Sequence, residues 1–136
     1  MRPYFVDTWF FIALLHPNDP SHRFALRVSR TARDASFVTH DGVLTELLTF
    51  FSGHGDFWRS EGAVLARQII ASRAYTTVPV DRGLFIQSLT LYENRLDKAY
   101  SLVDCMSMMV MKARNLTHVL TNDHHFRQEG FTLVNE

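Results

Sequence analysis

Short apolar runs of strand character alternate with longer helix-like segments along the chain, and this alternation limits the fold more than any other feature. Tyr4–Val6, Ser36–Thr39, Tyr75–Val80 and His118–Thr121 read as strands, with a fifth candidate at Thr132–Val134. Thr8–Leu15 and Ser21–Thr31 follow the first strand as helices, kept apart by Pro17 and Pro20. Asp41–Phe51 and Asp56–Ser72 follow the second, on either side of Gly53 and Gly55. Asp81–Arg95 and Ser101–Arg114 follow the third, and a short turn starts at Asn122 after the fourth. The pattern predicts an α/β layer fold with a mainly parallel sheet. Ligands of such sheets sit outside the carboxyl ends of the strands. Those ends are therefore where chemistry is expected.

Composition narrows the class. A chain of 136 residues fits one domain, 1–136, with a proper core. An apolar fraction of 46% with 11 Phe excludes a disordered chain. Lys+Arg and Asp+Glu both number 14, so bulk charge gives no argument for a nucleic-acid partner. One cysteine, Cys105, excludes an internal disulfide and suits the cytoplasm. The longest apolar runs, such as Trp9–Leu15, are too short to span a bilayer. The opening MRPYFVDTW has an acid within its apolar run and no small-residue cleavage site, unlike a signal peptide. No membrane association is expected.

Four acids stand at strand ends or helix starts. Asp7 closes the first strand in YFVDTW and Asp123 follows the fourth in VLTND. Either could be a helix N-cap, accepting an orphan backbone N–H. Asp104 in YSLVDC sits three residues after Ser101, the spacing of a capping box. Glu46 shares a helix face with Val43 and Phe50 in an apolar segment. A carboxylate on a core-facing stripe is costly unless it meets an arginine or a metal ion. Were three or four carboxylates to meet, they could not all stay ionised without a cation. Hard oxygen donors favour Mg²⁺ or Mn²⁺ over zinc. Such an ion polarises a phosphodiester and activates water.

The segments YFVDTWFFIALL, VLTELLTFF and RLDKAYSLVDCMSMMVMKARNLTHVLTNDHHFRQEGF together resemble a PIN-domain ribonuclease of the VapC type, the toxin of VapBC toxin–antitoxin pairs. The resemblance spans nearly the whole chain in order. Its most specific part is S-L-x-D-C followed by T-x-D-x-H-F and G-F. It implies a three-layer α/β/α domain with a central mainly parallel sheet and endonucleolytic cleavage of RNA with Mg²⁺ or Mn²⁺. It also implies a cognate antitoxin as partner and places the family's acids on Asp7, Glu46, Asp104 and Asp123. Asp97, in LDK, is commonly acidic in this subgroup and would be an outer ligand or electrostatic support. Thr8 and Ser101 would add hydroxyls around the metal. Trp9 departs from the pattern, since many relatives carry a smaller polar residue there.

Other features carry structural alternatives. His124 and His125 are adjacent, so on a helix they point about 100° apart and rarely bind one ion. Without a Cys pair or H-x-x-x-H spacing, zinc is disfavoured. His125 with Phe126 is expected to pack or hydrogen-bond the turn, with His124 facing solvent. Arg23, Arg27 and Arg30 form a basic helix face, either merely solvated or available to RNA phosphates or an acidic partner. Met106, Met108, Met109 and Met111 suit core and interface packing. Trp9, Phe10, Phe11, Phe50 and Phe51 supply more apolar surface than one face needs, enough to leave some for a homodimer or antitoxin contact. A haloacid-dehalogenase phosphatase would need D-x-D where this chain has D-T-W. A receiver-like domain would need a second acid near Asp7 and a late lysine. An inactive PIN-like RNA- or protein-binding module stays open as the alternative, although its hallmark would be a missing acid and all four are present.

Overall fold

The computed structural model describes residues 2–136; Met1, part of the expected 1–136 domain, lies outside them. Five strands form one sheet, all parallel, in the order β3-β2-β1-β4-β5. They are β1 (Tyr4–Val6), β2 (Phe37–His40), β3 (Tyr75–Val78), β4 (His118–Leu120) and β5 (Thr132–Val134). The helices are α1 (Thr8–Leu15), α2 (His22–Arg30), α3 (Asp41–Ser52), α4 (Asp56–Ala71), α5 (Arg82–Asn94), α6 (Leu102–Ala113) and α7 (His124–Gln128). One group packs α1 with α2, α3 and α4, and α5 packs on α6. This is the expected three-layer α/β/α arrangement.

Strand ends moved by small amounts from expectation, each for a local reason. β3 stops at Val78 because Pro79 has no N–H to continue the ladder. β2 starts at Phe37 because Ser36 is used in the preceding turn, where its hydroxyl donates to the Arg33 carbonyl and accepts from the Arg33 N–H. Thr121 leaves β4 by donating its N–H back to the Val119 carbonyl.

The expectation of spare apolar surface on α1 is corrected. Phe10 and Phe11 are fully buried, as is Phe51, because α1 is enclosed by α2, α3 and α4. Burying such a ring stabilises by roughly 1.5–3 kcal/mol. That packing anchors α1 without a cap: Asp7 occupies the N-cap position but makes no side-chain cap bond. Its carboxylate is left for other work. Phe50, by contrast, stays outside. Met106, Met108 and Met111 are buried in the core, and Met109 is half-buried.

At the end of β2, His40 is fully buried and starts α3. Its Nδ1 accepts from the N–H groups of Gly42 (3.0 Å) and Val43 (3.4 Å). With Nδ1 an acceptor, Nε2 carries the hydrogen and donates to Ser107 Oγ at 2.8 Å. Ser107 in turn donates to the Val103 carbonyl. Every polar atom of this buried chain is satisfied, which ties α3 to α6.

Candidate active site at the carboxyl edge of the sheet

The strand order reverses about β1: the chain runs out through β2 and β3, then returns to place β4 on the other flank of β1. At that switch point Asp7 follows β1 and Asp123 lies just past β4. Thr121 joins them. Its hydroxyl donates to Asp7 Oδ2 at 2.8 Å and accepts from the Asp123 N–H at 3.1 Å. Thr121 was read only as a strand residue; the T-N-D spacing beside the acid was the available signal.

Asp7 is almost wholly buried, and its carboxyl is pushed up to about 7. Burial is the main cause, and the charges of Asp104 and Glu46 add to it. The Thr121 hydroxyl and the Thr8 N–H oppose the rise. Glu46 is also raised, first by burial and then by Asp104 and Asp123, while its bond from Thr8 pulls the other way. Each acid feels the others. Four residues from separate parts of the chain thus converge at one edge of the sheet.

Glu46 corrects one expectation. The stripe it shares with Val43 and Phe50 does not face the core throughout; Glu46 is half-buried beside a cavity and Phe50 is exposed. Among the described residues no arginine pairs with it. Its Oε1 instead accepts from the Thr8 hydroxyl at 2.6 Å.

Asp104 and Ser101 form the expected capping box, with Ser101 Oγ accepting from the Asp104 N–H and Asp104 Oδ2 accepting from the Ser101 N–H. Asp123 caps α7 through the His125 N–H at 2.9 Å. Capping leaves lone pairs on both carboxylates. His125 stands between them, its Nδ1 3.0 Å from Asp104 Oδ2 and 3.3 Å from Asp123 Oδ1. Flanked by two carboxylate oxygens, Nδ1 carries the hydrogen. His125 packs on Tyr100, as a scaffold residue would, yet it also belongs to the acid cluster. Sequence reading missed that second role, because it depends on α6 starting beside α7. His124 is exposed and contacts Arg127.

Polar atoms of Asp104, Asp123 and His125 all lie within 4.8 Å of one another, and with Nδ1 carrying the hydrogen it is the carboxylate oxygens that offer lone pairs there. With Asp7 and Glu46 nearby, this oxygen-rich donor set fits a hard divalent cation. Asp97 is not brought in: its side chain is exposed and pairs with Lys98 at 3.2 Å. Arg23, Arg27 and Arg30 are exposed along α2, with Arg27 6.0 Å from the Phe24 ring centroid.

Residues 4–131 match the family model described as PIN domain. The chain belongs to the PIN domain family. Among solved structures, this PIN domain is similar to Mycobacterium tuberculosis VapC20, a sarcin–ricin loop cleaving toxin. Identity is 26% and the TM-score 0.84, over 98% of this chain and 99% of that one. It also resembles VapBC2 from Rickettsia felis bound to a promoter DNA fragment (16% identity, TM-score 0.66, 97% of both chains). A toxin–antitoxin complex from Klebsiella pneumoniae shares the fold at 11% identity and a TM-score of 0.66, over 96% and 95% of the two chains. No curated protein sequence matches the PIN domain described here.

Proposed function

We propose that the chain is a Mg²⁺- or Mn²⁺-dependent endoribonuclease, acting as one PIN domain and as the toxin of a type II toxin–antitoxin pair. The observation that carries this reading is the convergence of Asp7, Glu46, Asp104 and Asp123 at the switch point of a parallel sheet. Asp7, Asp104 and Asp123 would hold the cation, with Glu46 as a further ligand or as the group orienting the attacking water. When bound, a divalent cation polarises the phosphodiester and lowers the pKa of water. Thr8 fixes one oxygen of Glu46, so the other is aimed and available as a proton acceptor. In-line attack on the phosphate leaves a 5′-phosphate and a 3′-hydroxyl.

Likeness to VapC20 supports RNA as substrate and a toxin role. An antitoxin partner and a second copy of the chain are supported by exposed apolar side chains, among them Phe57 and Val64 on one stripe of α4. The exposed arginines of α2 suit RNA phosphates or an acidic partner segment. No helix is long and apolar enough to cross a membrane among the described residues, and the reading is of a cytoplasmic protein.

The test incubates purified protein with single-stranded and structured RNA, in Mn²⁺ or in EDTA, beside Asp7→Asn. Cleavage is expected only for the unaltered chain in Mn²⁺. Cleavage that survives EDTA or the substitution would overturn the metal–carboxylate mechanism. If no RNA is cut, the chain is a binding module instead.

A further inference from the structure

An open cavity of ≈ 680 Å³ adjoins the acid cluster, and Thr8 and Glu46 form part of its lining. Its volume is that of a small-molecule site, roughly 300–1,000 Å³. Phe50, Phe85, Val103 and Met106 give it apolar walls from α3, α5 and α6. The polar groups at its edge are Asp41, Thr45 and Thr49. Thr45 already donates its hydroxyl hydrogen to the Asp41 carbonyl at 2.9 Å. The Asp41 carboxylate and the Thr49 hydroxyl have no hydrogen-bond or ion-pair partner among the described residues. On Phe85 lies a cation: the Arg82 guanidinium is 5.4 Å from the ring centroid. Arg82 is exposed and pairs with no carboxylate among the described residues.

We propose that this cavity is a nucleobase subsite for the RNA strand being cut. The base next to the scissile phosphate leaves the stack and lies against Phe50, Phe85 and Met106. It donates an N–H to Asp41, and Arg82 meets a phosphate of the same strand. The proposal rests on the ribonuclease reading above and names where that reading's substrate is recognised.

The chemistry of the walls selects the occupant. Asp41 and Glu46 are the charged residues of the lining, so a phosphate is repelled from the cavity itself. A purely apolar occupant would cover the Asp41 carboxylate without supplying a donor, which is costly. A base is uncharged, has a face for the aromatic and thioether walls, and carries N–H donors on its edge. A basic peptide, the protein occupant that two carboxylates would attract, meets the Arg82 cation seated on Phe85. The same cation favours a strand whose phosphates lie outside the base slot. Asp41 further selects among bases. Adenine, cytosine and guanine carry an exocyclic amine that it can accept from. Uracil presents a carbonyl on each side of its one edge N–H and is disfavoured.

The experiment uses the full chain and fluorescein-labelled single-stranded RNAs, varied one position at a time through the four bases and an abasic residue. Binding is read by anisotropy in Ca²⁺, which neutralises the carboxylates, and cleavage is read in Mn²⁺. One position is expected to lose about tenfold in affinity when abasic, with uridine the weakest base there. Asp41→Asn should flatten the ranking of bases, and Phe85→Leu, which keeps volume without an aromatic face, should bring the intact RNA down to the abasic level. Arg82→Ala should weaken all sequences alike.

Cleavage with no base preference at any position would overturn the subsite and leave the nuclease reading standing. So would a preference unchanged in folded Asp41→Asn and Phe85→Leu. Base-selective binding without cleavage would support the subsite and overturn the nuclease reading, and neither binding nor cleavage would overturn both. Variants that keep the RNA preference but lose a purified antitoxin would show the cavity to be a protein groove instead.

Discussion

Gly42 has no room for a side chain. A Cβ there would stand 2.9 Å from Cε1 and 3.0 Å from Nδ1 of His40, and 3.2 Å from the sulfur of Met106. The methionine can move, but the ring cannot, because both its nitrogens are bonded. Gly42→Ala should lower stability by about 1–3 kcal/mol, measured as a reduced urea midpoint with an unchanged slope. The same ring sets a pH dependence. Burial pushes His40 down to about 4, whereas the unfolded chain titrates near 6.5. The unfolded state therefore binds more protons between those values. Stability due to His40 is intact above pH 6.5 and is lost as pH falls through about 4. Asp7 works in the opposite sense: its raised carboxyl favours the fold below about 3.8, and that contribution is lost as pH rises through about 7. In EDTA the two slopes overlap between pH 4 and 6.5. Asp7→Asn should remove the opposing slope of that carboxyl, so that the variant's denaturation free energy climbs more steeply between pH 4 and 6.5 than that of the unaltered chain.

Among the elements, α7 depends most on its neighbours. Five residues cannot hold a helix in water, yet this one carries His125 and is capped by Asp123. Its C-terminal anchor is Glu129, whose carboxylate takes two bonds from Arg95, one from Lys112 and one from Tyr100, each 2.9–3.0 Å long. These partners hold the carboxyl well down, at about 2, with Arg95 the largest cause. Tyr100 also packs against His125, so the clamp reaches the site. Glu129→Gln should lower the melting temperature by several degrees and weaken Mn²⁺ binding, both readable in thermal melts across a metal titration. Little of this was legible beforehand. Helical spacing put Val43, Glu46 and Phe50 on one face, but period alone cannot say whether that face meets core or cavity. Strand-end acids were legible, because a carboxylate that closes an apolar run has few other uses. His125 was not, because its partner Asp104 comes from another helix. For the same reason nothing in the sequence around Glu129 announces its three partners.

For the whole molecule, the acid cluster carries a cost in stability. Without metal, Asp7, Glu46 and Asp104 repel one another at close quarters. A bound cation stabilises the folded state by about 2.7 kcal/mol at a hundredfold excess over its dissociation constant. In EDTA at pH 8, Asp7→Asn should therefore melt above the unaltered chain. In saturating Mn²⁺ the order should reverse, since the variant loses most of the metal response. Equal melting shifts in Mn²⁺ for both chains would show that Asp7 holds no ion.

Parallel order has one more consequence. Asp7 is linked to its hydrogen-bond partner Thr121 across 114 residues, through two strands that are neighbours in the sheet but far apart along the chain. A growing chain that has emerged only as far as α6 carries Asp7, Glu46 and Asp104 but neither Asp123 nor His125. Assembly of the cluster waits for β4 to slot in beside β1. Translation itself thus sets the order of assembly, since the cluster cannot close until the segment leading into α7 is made.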